Sequence, residues 1–221
     1  HGVVRKAEWK LISSSADSAA FETASNDETR EQYPFDFALR ASFTLQDASL
    51  AVGYEVKNSG SDEMFFSIGS HPAINVPFAG GYPEHYYFHF NRPENMVRYF
   101  FKGGVHLNET APIFENNRQI SVTPTLFDKG PIIFKNPASD SVTIMNSRNT
   151  KRIRVRTEGV PFLALWAPPG APFACIEPWH GVMDNVDCDG EFTTKEGIMS
   201  LAAGGTYKTG YWIDILDGGG V

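Results

Sequence analysis

Cysteine is nearly absent from the 221-residue chain. There are two, Cys175 and Cys188, too few for a disulfide framework. They could pair, but nothing in the sequence requires it, and a reducing cytosol is the simpler setting. Long hydrophobic runs are missing too, so no segment reads as a bilayer-crossing helix, and no signal peptide opens the chain. Basic runs do not occur. Lys and Arg number 19 against 26 Asp and Glu, a formal net charge of −7, which argues against nucleic acid or an anionic membrane as a partner. No phosphate-binding Walker loop, dinucleotide fingerprint or GxSxG elbow appears. Helical periodicity is equally scarce. The best candidate is "SNDETREQYP", where Ser25 and Glu28 fit a capping box and Pro34 ends a short connector.

What remains is alternation, the pattern of half-buried strands. In "FDFALRASFTL", Phe35, Phe37, Leu39, Ala41, Phe43 and Leu45 fall on one face. After a polar turn, "SLAVGYEVKN" sets Leu50, Val52, Tyr54 and Val56 on one face, which predicts a hairpin. "HYYFHFN", "RIRVRTEG" and "TGYWIDIL" alternate likewise, while "PFLALWAP" is a continuous apolar run, as in a strand covered on both sides. Fourteen prolines and twenty glycines are scattered as turn punctuation, and no composition shift divides the chain. The expectation is one mostly antiparallel β domain over residues 1–221, built as two packed sheets.

Two neighbourhoods carry candidate chemistry. In "MFFSIGSHPAINVPF" a strand runs into His71-Pro72, and the proline holds His71 extended with its ring direction fixed. On spacing alone a half-buried histidine satisfied by a backbone carbonyl fits this better than a catalytic one. In "FACIEPWHGVMDNVD", alternation puts Glu177 on one face with Phe173 and Cys175 in a buried strand. Such a carboxylate must be paired, coordinate something, or have its pKa raised. It is either a general base or the partner of a buried arginine, Arg154 or Arg156. Trp179 and His180 add an aromatic face and a polar ring of the kind that binds sugars. The arginines of "KRIRVR" read as a solvated face. His85 and His89 would share a strand face about 13 Å apart, too far to chelate one ion. Asp184, Asp187 and Asp189 cluster without the spacing of a calcium loop. Asp128, in "LFDKGP", reads as a turn-former.

In order and spacing, the blocks "HGVVR", "YPFDFALRASFTL", "FSIGSHPAINVPF", "CIEPWHGVMD" and "EGIMSLAAGGTYKTGYWIDI" resemble the aldose 1-epimerase (mutarotase) superfamily, in its LacX-like bacterial branch. The resemblance implies an all-β fold, the large antiparallel β-sandwich of galactose mutarotase-like proteins. It also implies a soluble cytoplasmic enzyme of carbohydrate metabolism that interconverts the α and β anomers of a hexose. His71 and Glu177 fall at the family's catalytic histidine and glutamate, and His1 at a histidine that contacts the sugar. Asp128 is the candidate for the family's assisting carboxylate, beside Trp179 as the sugar-facing aromatic read from its own chemistry. No metal or nucleotide cofactor is implied. Family members carry further strands and a substrate-binding arginine ahead of the "HG" block. The chain is therefore expected to be the C-terminal portion of a longer domain, whose uncovered sheet edges invite pairing with a second copy. Two other functions fit the residues. One is a carbohydrate-binding module without activity. The other is a glycoside hydrolase, which needs a second carboxylate about 5–9.5 Å from Glu177.

Overall fold

The computed structural model describes residues 2–218, in sixteen strands, one α-helix and three short 3-10 turns. In chain order come β1 (Lys10–Ser14), β2 (Ser18–Ala24), α1 (Asp27–Gln32), β3 (Phe37–Gln46), β4 (Ser49–Asn58) and β5 (Met64–Phe66). Next are β6 (Ile68–Gly69), β7 (Ala73–Asn75), β8 (Tyr86–Lys102), β9 (Val105–Ser121) and β10 (Ile132–Lys135). β11 (Ser141–Asn146), β12 (Lys151–Thr157), β13 (Phe162–Trp166), β14 (Phe173–His180), β15 (Met199–Leu201) and β16 (Thr206–Asp217) complete the series. No helix among the described residues is long and apolar enough to cross a membrane.

The chain divides into two compact units. One runs to Phe66 and takes in Met199–Ile213; the other holds Ser67–Ile198 and the chain from Asp214 on.

In the first unit the strand order is β1-β2-β3-β4-β16, with β5 and β15 as a separate pair. The predicted hairpin forms. β3 and β4 are antiparallel from Phe37 opposite Asn58 to Gln46 opposite Ser49. Phe37, Leu39 and Ala41 are buried, whereas Leu45 near the turn is exposed, and Phe35 precedes the strand. The short helix is present, but its cap lies one residue on from the expected Ser25. Asn26 accepts from the Thr29 backbone N–H while the Thr29 hydroxyl accepts from the Asn26 N–H. Asparagine caps as well as serine, and a threonine hydroxyl does the work assigned to Glu28.

A single buried amide ties this unit together. Asn58, 1% exposed, donates to the carbonyls of Asp62 and Leu201 at 2.8 and 2.9 Å and accepts from the Gly60 N–H. It thereby links the end of β4 to β15, far away in sequence.

The second unit contains a sandwich. One sheet has the order β12-β11-β8-β9; the other runs β10-β13-β14-β6, with β7 also on β14. Tyr86, Phe88 and Phe90 alternate along β8 and are fully buried. Across from them, Ile132, Phe134, Leu163, Leu165 and Ile176 fill the inner face of the second sheet. The rings of Phe90 and Phe134 meet at 4.9 Å between the layers. "PFLALW" is buried on both sides, as its unbroken hydrophobicity predicts. His85 departs from the sequence reading: it sits in a 3-10 turn ahead of β8, so it shares no strand face with His89. The β8–β9 hairpin closes through Gly103 and Gly104, both at positive φ, which a two-residue turn of this hand requires.

Replacing Asn58 with alanine removes two donors and an acceptor from buried backbone groups. The expected loss is about 2–3 kcal/mol of stability, read as a lower urea midpoint with an unchanged slope.

Candidate active site

Three rows of side chains cross the outer face of the second unit's second sheet. They follow from register, because residues directly opposite in antiparallel strands share a face. β13 pairs with β14 so that Phe162 faces Trp179, Ala164 faces Glu177 and Trp166 faces Cys175. On the far side of β14, Trp179 faces Gly69 and Cys175 faces Ala73. That register puts His71, between β6 and β7, directly across from Glu177. The ladder holds through the proline: Ser70 donates to the Pro178 carbonyl, and Ile176 donates to the Pro72 carbonyl. Pro72 and Pro178 have no N–H to return, so each of these pairs keeps one ladder bond in place of two.

The central row therefore reads Ile133, Ala164, Glu177, His71. His71 Nε2 lies 3.5 Å from a Glu177 oxygen, and its ring meets Trp166 edge to face at 5.6 Å. Trp179, one row away, hydrogen-bonds to the Glu177 carboxylate. Gly69 makes room for it, since a Cβ there would fall 2.7 Å from the indole. Beside these groups lies an apolar shelf of Ile133, Phe162, Ala164 and Val182, against which Tyr99 and Trp179 pack.

Among the described residues three acids are buried: Glu94, Glu177 and Asp214. Two are satisfied structurally. Glu94 accepts from the backbone N–H groups of Ala138 and Ser139. Asp214 takes both Arg154 and Arg156 at 2.7–3.0 Å. This bears on one of the two sequence readings of Glu177, the arginine pair. The arginines that might have neutralised it serve Asp214 instead, and they are not a freely solvated face. Glu177, 2% exposed, has His71 as its ion-pair partner and Trp179 as a donor. Burial pushes its pKa up to about 8, with the Trp179 hydrogen bond pulling the other way. Burial moves His71 and His180 downward. Cys175 is raised to about 12 by burial and by the Glu177 charge, so it is a thiol at neutral pH. The two cysteines are unpaired.

The other sequence candidates separate. Trp179 belongs to the site face. Asp128 is exposed in a turn, its N–H bonded to Thr125, and joins none of the three rows. His1 lies outside the described residues. Asp184 pairs with Lys195 and Asp187 with Asn108, so that acidic run is spent on loop contacts.

The sequence reading missed a charged rim. Lys135 continues the row of Phe162 and Trp179, lies 4.8 Å over the Tyr99 ring, and reaches both Glu196 oxygens at 2.8 Å. His106, 4% exposed, packs on Tyr99, its Nε2 3.6 Å from Glu196. A cavity of about 300 Å³ opens beside Tyr99, Ile133 and Lys135.

A β-sandwich with an exposed histidine set against a buried glutamate on a sheet face is the setting in which comparison with known proteins is informative. The aldose 1-epimerase family matches residues 1–200, and the chain belongs to that family. It is thereby a protein of the carbohydrate-epimerase, mutarotase-like class. The LacX proteins of Lactococcus lactis, plasmid and chromosomal, are 30% identical over 98% of this chain and 75% of theirs. A galactose mutarotase related enzyme from Lactobacillus acidophilus superposes with a TM-score of 0.89 at 28% identity, covering 96% of this chain and 72% of that one. A galactose mutarotase-like protein from Lactobacillus casei matches with a TM-score of 0.80 at 24% identity over 95% and 73% of the two chains, and so shares the fold.

Replacing Trp179 with phenylalanine keeps a ring on the shelf and removes the donor to Glu177. The Glu177 carboxyl should then titrate above about 8, read by carbon-13 NMR of the labelled side chain.

Proposed function

We propose that the protein is an aldose 1-epimerase that interconverts the α and β anomers of a hexose, with Glu177 as base and His71 as acid. The observation that carries this reading is the buried Glu177 carboxylate. Unlike Glu94 and Asp214, it has no cation or backbone cradle beyond His71 and Trp179, and it lies beside an apolar shelf on which Trp179 packs. Glu177 takes the proton of the anomeric hydroxyl while protonated His71 gives one to the ring oxygen. The ring opens to the aldehyde, the C1–C2 bond rotates, and reclosure with the roles exchanged delivers the other anomer. Trp179, partly exposed and backed by the buried shelf, offers the apolar face of the sugar a surface, and the polar groups of the rim meet its hydroxyls. His1 and Asp128 are the further sugar-binding candidates that the family resemblance nominates.

The polarimetric trace of freshly dissolved α-D-glucose and α-D-galactose tests the reading. The chain should accelerate the approach to anomeric equilibrium, and Glu177→Gln or His71→Asn should lose about 10²–10⁴-fold in rate. Sugar binding without acceleration by the parent chain would make it a binding module instead.

The pH dependence follows from the pair as a unit. Ring opening needs one proton on the pair and one vacancy. That singly protonated state is populated above the lowered pKa of His71 and below the Glu177 value of about 8. Because burial favours the proton on Glu177, the working ion-pair form is the minor tautomer. This lowers the plateau and leaves the limbs in place. The rate should therefore rise through a pKa below that of free histidine and fall again near 8. A rate still climbing well above that pH would contradict the assignment.

A further inference from the structure

Three unlike donor atoms converge at the pair. The His71 imidazole, Cys175 thiol and Glu177 carboxylate each present a ligand atom within 4.8 Å of the other two, and the nitrogen–oxygen edge measures 3.5 Å. No other trio of this kind occurs among the described residues. A tetrahedral zinc ion binds nitrogen and oxygen at about 2.0 Å and sulfur at about 2.3 Å, which sets donor–donor edges of roughly 3.3–3.6 Å. The His71–Glu177 edge already has that length. The remaining edges lie within 4.8 Å, and of the three ligands the His71 side chain, 35% exposed, has the most freedom to adjust.

Local sequence explains the convergence. Cys175 and Glu177 are two apart on β14 and share a face, and His71 stands across from Glu177 by register. Ala164 stands beside Glu177, and Cys175 lies between Ala73 and Trp166; Cys175 and Glu177 are buried, so an ion reaches them from the His71 side. The open side of His71 leaves a fourth position for water, as in zinc sites that are not purely structural.

We propose that this trio is a binding site for a borderline-soft divalent cation, with zinc as the reference ion. The thiolate makes the selection: sulfur, imidazole and carboxylate together suit zinc, cobalt and cadmium and disfavour magnesium and calcium. On binding, the S–H bond of Cys175 gives way to a metal–sulfur bond and its proton passes to solvent. Occupancy withdraws His71 and Glu177 from any sugar, so the cation is an inhibitor of the reaction proposed above. That consequence alone rests on the epimerase reading, and the pH profile given there belongs to the metal-free protein.

Cobalt(II) reports the site without any turnover. Titrated into the full chain, one equivalent should produce a thiolate-to-cobalt charge-transfer band that added zinc abolishes. Cys175→Ser should lose the band, and Cys188→Ser should keep it. His71→Ala, at a partly exposed position that leaves the fold intact, should weaken cobalt binding by more than about tenfold. Absence of a band in the parent chain would overturn the proposal, as would a band that follows Cys188 or ignores His71. Polarimetry then separates the two ideas. A chain that shows the band but no mutarotation keeps the cation site and loses the epimerase reading, and the reverse result does the opposite.

Discussion

The site depends on one unfavourable placement, a carboxylate folded into the face of a sheet with almost no access to water. Desolvation of an ionised carboxylate costs several kcal/mol unless partners offset it. The protein meets this cost in different ways at its three buried acids. Asp214 is neutralised by two guanidinium groups, and Glu94 by two backbone N–H donors. Glu177 receives one indole N–H and one partly exposed imidazole. It is left under-compensated, and so it holds its proton more tightly than a surface glutamate does.

Everything near it serves that imbalance. The inner face of the same sheet is filled with Ile132, Phe134, Leu163, Leu165 and Ile176, locked against the β8 aromatics, so the strands that carry Glu177 and its neighbours are held by packing on the opposite side. On the outer face, alanine stands beside Glu177 at 164, and glycine at 69 leaves room for the Trp179 indole. At the rim, Lys135 is engaged by Glu196 and the Tyr99 ring. Its charge is therefore spent on those partners and not on Glu177.

Much of this was legible in the sequence because strands announce themselves by alternation. The β3–β4 hairpin, the doubly covered β13 and the placement of Cys175 and Glu177 on one face follow from period two alone. The meeting of His71 with Glu177 does not. It depends on strand register across a separation of about a hundred residues, which periodicity leaves open. It was reached through family resemblance, and the register accounts for it physically. Glu177 as a possible arginine partner was settled only when Asp214, an acid in the last strand, proved to hold both candidate arginines. The Lys135–Glu196–His106 rim had no local signal at all, since its members come from two strands and a loop. His85 was misplaced because "HYYFHFN" alternates one residue beyond the point where the backbone becomes extended.

Gly69 has a consequence for how such a protein can vary. It has no part in the proposed mechanism, yet any Cβ there would press on the Trp179 indole. The indole is the donor that moderates the proton affinity of Glu177. A single-nucleotide change at this codon would therefore retune the Glu177 carboxyl without altering Glu177 or His71. In a lineage under selection for a different working acidity, a silent-looking glycine offers a route that leaves the acid–base pair itself untouched.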